Sequence, residues 1–294
     1  MKKNVIVVTG GAGFIGSNLI ELLIKKTNFK IISIDNYSTG TKKNHIPNKR
    51  VTYLNFDTKN IHKNLRFIKK KIDTIFHFGE FSRIYQSFLK VEECVSSNII
   101  GTSQVANFCL TNKIKLIYSA TSASIGNKGE DKNLSPYAFT KAKNLEMLNN
   151  FKKWFKFKFE IIYFYNVYGP KHISKGSMAT VIGIFENQFK KKEPLTVVLP
   201  GTQSRRFTHV KDTVRVCYEA WKKNNCRHYS ISHKKKYTIL QVAKMFKSKI
   251  VMLPPRLGER YSSALTNMNL SNKVHKKYGN IELKNYVKNF LKNQ

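Results

Sequence analysis

Tyr137 and Lys141 stand four positions apart in a stretch whose apolar spacing predicts a helix over Tyr137 to Trp154, so both side chains project from one face. A protonated lysine beside a phenol stabilises the phenolate and draws a pKa of ~10 toward the range useful for general-base work. Thr121 closes a preceding β-branched run, Leu116 to Ser119, and can offer its hydroxyl to the same substrate oxygen. A Tyr-x-x-x-Lys spacing alone is commonplace on exposed helices. Its weight comes from the first forty residues, where Gly10, Gly13 and Gly16 follow an apolar run, Val5 to Thr9, and open a helical pattern, Phe14 to Lys26.

In that context the glycines have separate physical tasks. Gly10 permits a tight turn, Gly13 lets a pyrophosphate approach the backbone, and Gly16 allows the helix to pack on the sheet. The first helical turn, with Phe14 and Ile15, then turns its free N–H groups toward the phosphates. Asp35 ends a second run, Ile31 to Asp35, about 20 residues after the last glycine, followed by Asn36. A carboxylate there accepts hydrogen bonds from an adenosine ribose and repels a 2′-phosphate, which favours NAD. The plainer role for Asp35 is a local turn cap, and Lys42 and Lys43 leave NADP open.

The elements that must position these groups alternate. Further strands are expected at Val51 to Asn55, Thr74 to Phe78, Leu116 to Ser119 and Glu160 to Phe164, and helices near Ile61 to Lys70 and Val91 to Thr111. That rhythm predicts an α/β, Rossmann-type doubly wound parallel sheet. Residues 1–165 form the expected dinucleotide domain, with a returning segment near 205–225; turn signals after Asn166 predict a smaller substrate-binding lobe over 166–294.

Cys94, Cys109, Cys217 and Cys226 are scattered without a Cys-x-x-Cys pair, which argues against a zinc site or a disulfide framework and for a reducing compartment. No apolar stretch reaches the ~18 residues of a membrane span, and the N-terminal run lacks a signal-peptide cleavage pattern, so a cytoplasmic protein is expected. The formal net charge is +36, yet arginine occurs at only nine positions and the lysines are spread through the chain. Readout of nucleic acid favours arginine, so the excess reads as compositional and no specific nucleic-acid partner is expected.

Longer motifs join these groups: Thr-Gly-Gly-Ala-Gly-Phe-Ile-Gly-Ser over 9–17, Asp35 to Gly40, His77-Phe78-Gly79, Asn98 with Gly101-Thr102, Ser135-Pro136-Tyr137 to Lys141, Tyr165 to Pro170, Arg205 to Asp212, and Arg256-Leu257-Gly258-Glu259. With them the chain resembles the extended short-chain dehydrogenase/reductase family, and within it the nucleotide-sugar epimerases and dehydratases. The resemblance implies that Asp57, Phe78, Gly79, Asn98 and Tyr165 line the cofactor, with Asp57 near the adenine. It implies that Lys141 binds the nicotinamide ribose and keeps Tyr137 ionised, and that Asn166, Arg205 and Arg256 contact the substrate diphosphate. Asp212 reads as a helix cap, and His77 and His209 as packing residues.

In that family the dehydratases carry an Asp-Glu pair after the catalytic Ser or Thr, and the decarboxylases a Glu. Here Thr121-Ser122-Ala123-Ser124 holds no ionisable group and resembles the 4-epimerases acting on UDP-sugars. Epimerisation at C4 of a UDP-linked hexose is therefore expected. The alternatives are a dehydratase or 4-ketoreductase of the same fold and, remotely, a non-catalytic binding protein. Three features depart from the family pattern: the loop 127–136 is short, Glu80 and Arg83 replace small or neutral residues, and the C-terminal lobe is brief. Relatives commonly dimerise through the two helices near 91–111 and 137–154, which implies a homodimer.

Overall fold

The computed structural model describes residues 3–124, 131–223, 227–258 and 277–294. Cys226, Glu259 and residues 127–130 of the short loop lie outside them. In chain order the elements are β1 (Val5–Thr9), α1 (Phe14–Lys26), β2 (Lys30–Asp35), β3 (Val51–Asn55), α2 (Ile61–Leu65), β4 (Ile72–His77), α3 (Ile84–Leu89), α4 (Val91–Val95), α5 (Thr102–Thr111), β5 (Lys115–Thr121), α6 (Pro136–Phe155) and β6 (Phe159–Phe164). Then come β7 (Asn166–Tyr168), α7 (Val181–Lys190), β8 (Leu195–Val198), β9 (Ser204–His209), α8 (Val210–Lys223), β10 (His228–Ser230), β11 (Lys236–Thr238), α9 (Ile239–Met245), β12 (Ile250–Leu253) and α10 (Leu283–Lys292).

The main sheet has seven strands in the order β10-β6-β5-β4-β1-β2-β3, all paired in parallel. The inner strands are largely apolar on both faces because helices cover both. Val5 and Val7 join Phe108, Leu116 and Leu148 on one side, while Ile6 and Val8 join Leu19, Ile20 and Val214 on the other. The strand order reverses between β1 and β4, and the crevice at such a reversal is where parallel sheets of this type bind ligands.

The remaining strands form a three-stranded sheet, β11-β9-β7, and a parallel pair, β12-β8. Tyr168, Phe185, Phe207, Phe246 and Leu283 fill their core against α7, α9 and α10. The chain returns to the main sheet at α8, whose Val210, Val214 and Cys217 pack beside α1, and at β10, which pairs with β6. Among the described residues no helix is long and apolar enough to cross a membrane.

Two expected helices differ. The stretch from Ile61 is α2 followed by a short turn at Lys69–Lys71, and the stretch 91–111 is interrupted by a π-helical turn at Ser96–Gly101. The wide turn swings Asn98 inward and brings Gly101 so close to α2's leading turn that a Cβ there would lie 2.5 Å from the Thr58 hydroxyl.

Candidate active site

A cavity of about 770 Å³ runs from the glycine turn to the β7–α7 region. Its walls include Gly10, Gly13, Phe14, Ile15, Gly16, Asp35, Asn36, Asp57, Phe78 and Gly79 at one end, and Thr121, Tyr137, Lys141, Tyr165, Asn166, Arg205 and Arg256 toward the other.

The glycine turn is drawn in by close backbone approach. Gly10 has φ +67°, and a Cβ there would lie 2.9 Å from the Gly79 nitrogen; at Gly16 it would lie 2.1 Å from the Gly10 carbonyl oxygen. No side chain caps α1, so its first-turn N–H groups open on the cavity, as an anion site requires. Asp35 Oδ2 accepts from the Ala12 N–H at 3.0 Å and Oδ1 from the Tyr37 N–H at 2.9 Å, which ties the glycine turn to the loop after β2. Asp35 thus fills the local turn role while still lining the cavity; its burial raises the carboxyl pKa. A glycine turn with no room for a Cβ, an uncapped helix and a carboxylate at the ribose position together fit a dinucleotide.

Thr9, at the end of β1, knits the opposite lip. Its hydroxyl accepts from the Phe78 and Gly79 N–H groups at 3.1 and 3.0 Å and bonds His77 Nδ1 at 2.7 Å. His77 Nε2 reaches the Thr102 hydroxyl at 2.9 Å, and burial pushes the imidazole down to about 4. His209 is held near about 4 by burial and packs on Tyr168 and Tyr286.

α6 presents the reactive face. Ser135 caps it, its hydroxyl accepting from Ala138 N–H, and Pro136 occupies the first turn without needing a partner. The next N–H, that of Tyr137, donates to Ser87 Oγ of α3 at 3.2 Å, so a helix the sequence did not reveal fixes the phenol. Tyr137 and Lys141 share their face with Asn144, a third member not foreseen. Burial drives the phenol up to about 12, opposed by a hydrogen bond from Thr121.

Lys141 Nζ ion-pairs with Glu80 Oε2 and donates to the Ser119 carbonyl at 2.5 Å. Besides Lys141, Glu80 accepts from Thr102, Tyr118, Ser119 and Asn144, and its side chain is 2% exposed. The Glu80 carboxylate therefore shares the ammonium charge that the resemblance assigns to holding Tyr137 ionised.

Two expectations change. Asn98 does not line the cavity: the π-helical turn buries it, and its amide accepts from Phe81 N–H at 2.7 Å and donates to the Phe81 carbonyl at 3.2 Å. It shapes the wall from beneath. Asp212 lies inside the first turn of α8 rather than capping it, and accepts from the Ile281 N–H at 3.4 Å, anchoring the segment before α10. Toward the far end, Asn166 donates to the Arg206 carbonyl at 3.0 Å, Tyr165 bonds Ser230 at 2.6 Å, and the Arg256 guanidinium lies 5.3 Å from the centre of the Tyr85 ring. Arg83 enters the same wall, its Nε donating to the Met178 carbonyl at 2.9 Å.

A doubly wound sheet with a dinucleotide cradle at its reversal and a Thr–Tyr–Lys group across the cavity defines a nucleotide-dependent enzyme. Residues 6–232 match the NAD dependent epimerase/dehydratase family, and the chain belongs to it. An ADP-L-glycero-D-manno-heptose-6-epimerase from Brachyspira hyodysenteriae is 33% identical over 72% of this chain and 70% of its own. A putative UDP-glucose 4-epimerase from Methanocaldococcus jannaschii is 26% identical over 87% of this chain and 88% of its own. Among solved structures, UDP-N-acetylglucosamine 4-epimerase from Methanobrevibacter ruminantium M1, in complex with UDP-N-acetylmuramic acid, superposes with a TM-score of 0.86 at 26% identity, covering 99% and 98% of the two chains. The protein is thus an NAD-dependent enzyme of the nucleotide-sugar epimerase/dehydratase family.

Proposed function

We propose that the protein interconverts a UDP-linked hexose and its C4 epimer through a 4-keto sugar. The observation that carries this reading is the pairing of the Thr121 and Tyr137 hydroxyls at one cavity wall, with no ionisable side chain at 122–124 to eliminate water. Bound at the glycine turn, NAD would supply the reversible hydride acceptor that this interconversion needs. Tyr137 accepts the hydroxyl proton and gives it back, Thr121 hydrogen-bonds the reacting oxygen, and Lys141 binds the nicotinamide ribose. Gly10 to Gly16 receive the cofactor phosphates, Asp35 its adenosine ribose, and Asn166, Arg205 and Arg256 the substrate diphosphate, where guanidinium pairs are strongest.

In this reading residues 1–165, with α8 and β10, hold the cofactor and the rest of 166–294 holds the nucleotide sugar. Two copies associate through the face that carries Val91, Val95 and Phe139, all exposed. A reducing cytoplasm suits Cys94, Cys109 and Cys217, which are free and buried.

Denaturing the purified protein should release NAD by mass spectrometry, and incubation with UDP-glucose or UDP-N-acetylglucosamine should yield the C4 epimer on chromatography. Tyr137→Phe should lower kcat by about 10²- to 10⁴-fold, the contribution of a positioned acid or base. Release of NADP, or accumulation of a keto sugar alone, overturns the reading. The second reading is reduction of a 4-keto sugar, in which Tyr137 would donate its proton to the new hydroxyl. That reaction consumes reduced cofactor stoichiometrically, and epimerisation does not.

A further inference from the structure

Arg83 precedes α3 in extended conformation and enters the cavity wall beside Tyr137, Ala123 and Met178. Its Nε is spent on the Met178 carbonyl and its Nη1 on the Ser82 carbonyl at 2.8 Å and the Ser82 hydroxyl at 3.5 Å. Those bonds fix the guanidinium plane. Nη2 donates to no protein group among the described residues, and no carboxylate there lies within ion-pairing distance of Arg83. The contrast with Lys141 is direct, because Glu80 answers that cation and leaves Arg83 as a separate positive centre at the same end of the cavity.

The surroundings raise the value of that charge. Phe81, Ala123, Tyr137 and Ala138 form a small apolar cluster, with Ile84 and Met178 packed against it. Desolvation lowers the guanidinium pKa, and the nearby Tyr137 opposes that shift. A partly desolvated cation held in place without a counter-ion is costly to fold, and regains that cost when an anion arrives in a pocket of low dielectric.

If the hexose lies against Tyr137, as the proposed reaction requires, the group nearest Arg83 is a substituent of the ring, whereas Arg256 sits apart over Tyr85. We infer that Arg83 is a specificity-determining residue for an acidic sugar, a nucleotide-linked hexose carrying a carboxylate where glucose carries its neutral hydroxymethyl group. The inference rests on the epimerase reading for the sugar's placement, and it deepens that reading by naming the substrate class.

Calorimetric titration of the purified protein with UDP, UDP-glucose and UDP-glucuronate separates the possibilities. The wild type should bind UDP-glucuronate at least tenfold tighter than UDP-glucose. Arg83→Met should abolish that preference and leave UDP affinity unchanged, and Arg83→Lys, which keeps the charge, should retain a preference. Equal affinities in the wild type overturn the inference. So does Arg83→Met weakening UDP and both sugars alike, which would place the guanidinium on the diphosphate. Should Arg83→Met fail to fold by thermal melt, the wild-type preference and the Arg83→Lys titration still decide. Product analysis with the same sugars keeps the two readings apart. Epimerisation of UDP-glucose without preference for the uronate sinks only this inference, and a binding preference without any epimer formed sinks only the reaction.

Discussion

Lys141 carries its ammonium between the Glu80 carboxylate and the Ser119 carbonyl, with the Tyr118 ring 4.8 Å away, so the phenol one helical turn earlier shares that charge with a carboxylate. Glu80 also acts on Tyr137 directly, its negative charge opposing formation of a phenolate. Replacing Glu80 by Gln removes that opposition whether or not Lys141 keeps its proton. Tyr137 must lose its proton to act as base, so activity rises with pH through the phenol's pKa. Glu80→Gln should therefore move the rising limb of log kcat/KM against pH by about one unit or more toward lower pH. An unmoved profile measured in parallel on both proteins would refute the electrostatic role. Glu80→Ala is a different perturbation: it strands a buried ammonium, and should cost about 3–5 kcal/mol in chemical denaturation. The phenol and the lysine were legible because helical spacing places them together within one motif. Glu80 was visible only as a residue out of pattern, since its partner lies 61 positions away and no local rule pairs them.

At the scale of elements, the parallel strands were readable because burial on both faces leaves continuous apolar runs, and α1 matches its expected bounds, Phe14–Lys26. The π-helical turn at Ser96–Gly101 was hidden, since one wide turn leaves the surrounding apolar spacing almost intact, and α3 has only six residues, too few for a period to show. The π-helical turn leads directly into Thr102, which with Thr9 wedges His77 at the end of β4. Its folded pKa, about 4, lies below the ordinary value of 6.5, so between those values the unfolded chain binds the extra proton. Stability is then fully present above 6.5 and falls as pH drops toward 4, by about 2 kcal/mol between pH 7 and pH 5. His77→Asn should melt lower at pH 7 yet lose less on acidification than the wild type. Thermal melts at the two pH values check this, and parallel losses in both proteins would mean that other groups carry the acid sensitivity.

For the whole molecule, two surface features pull in opposite directions. Val91 and Phe139 are 47% and 46% exposed, and Val95 and Ile100, on the same stretch of chain as Val91, are exposed too, apolar surface that the proposed homodimer would cover. Each copy also carries a formal charge of +36, so two copies repel one another over distances set by screening. The Debye length shrinks from ~30 Å at 0.01 M salt to ~8 Å at 0.15 M, which weakens repulsion while leaving apolar burial almost unchanged. Association through this face should therefore strengthen with salt, opposite to an assembly held by ion pairs. Multi-angle light scattering should show the mass moving from near 34 kDa at low salt toward twice that at physiological ionic strength. Val95→Asp with Phe139→Asp should hold the mass near that of one chain throughout, with the Tyr137-dependent reaction retained if the site is complete within a single copy. A wild type that stays monomeric at every salt concentration, or dissociates as salt rises, removes this face as the interface.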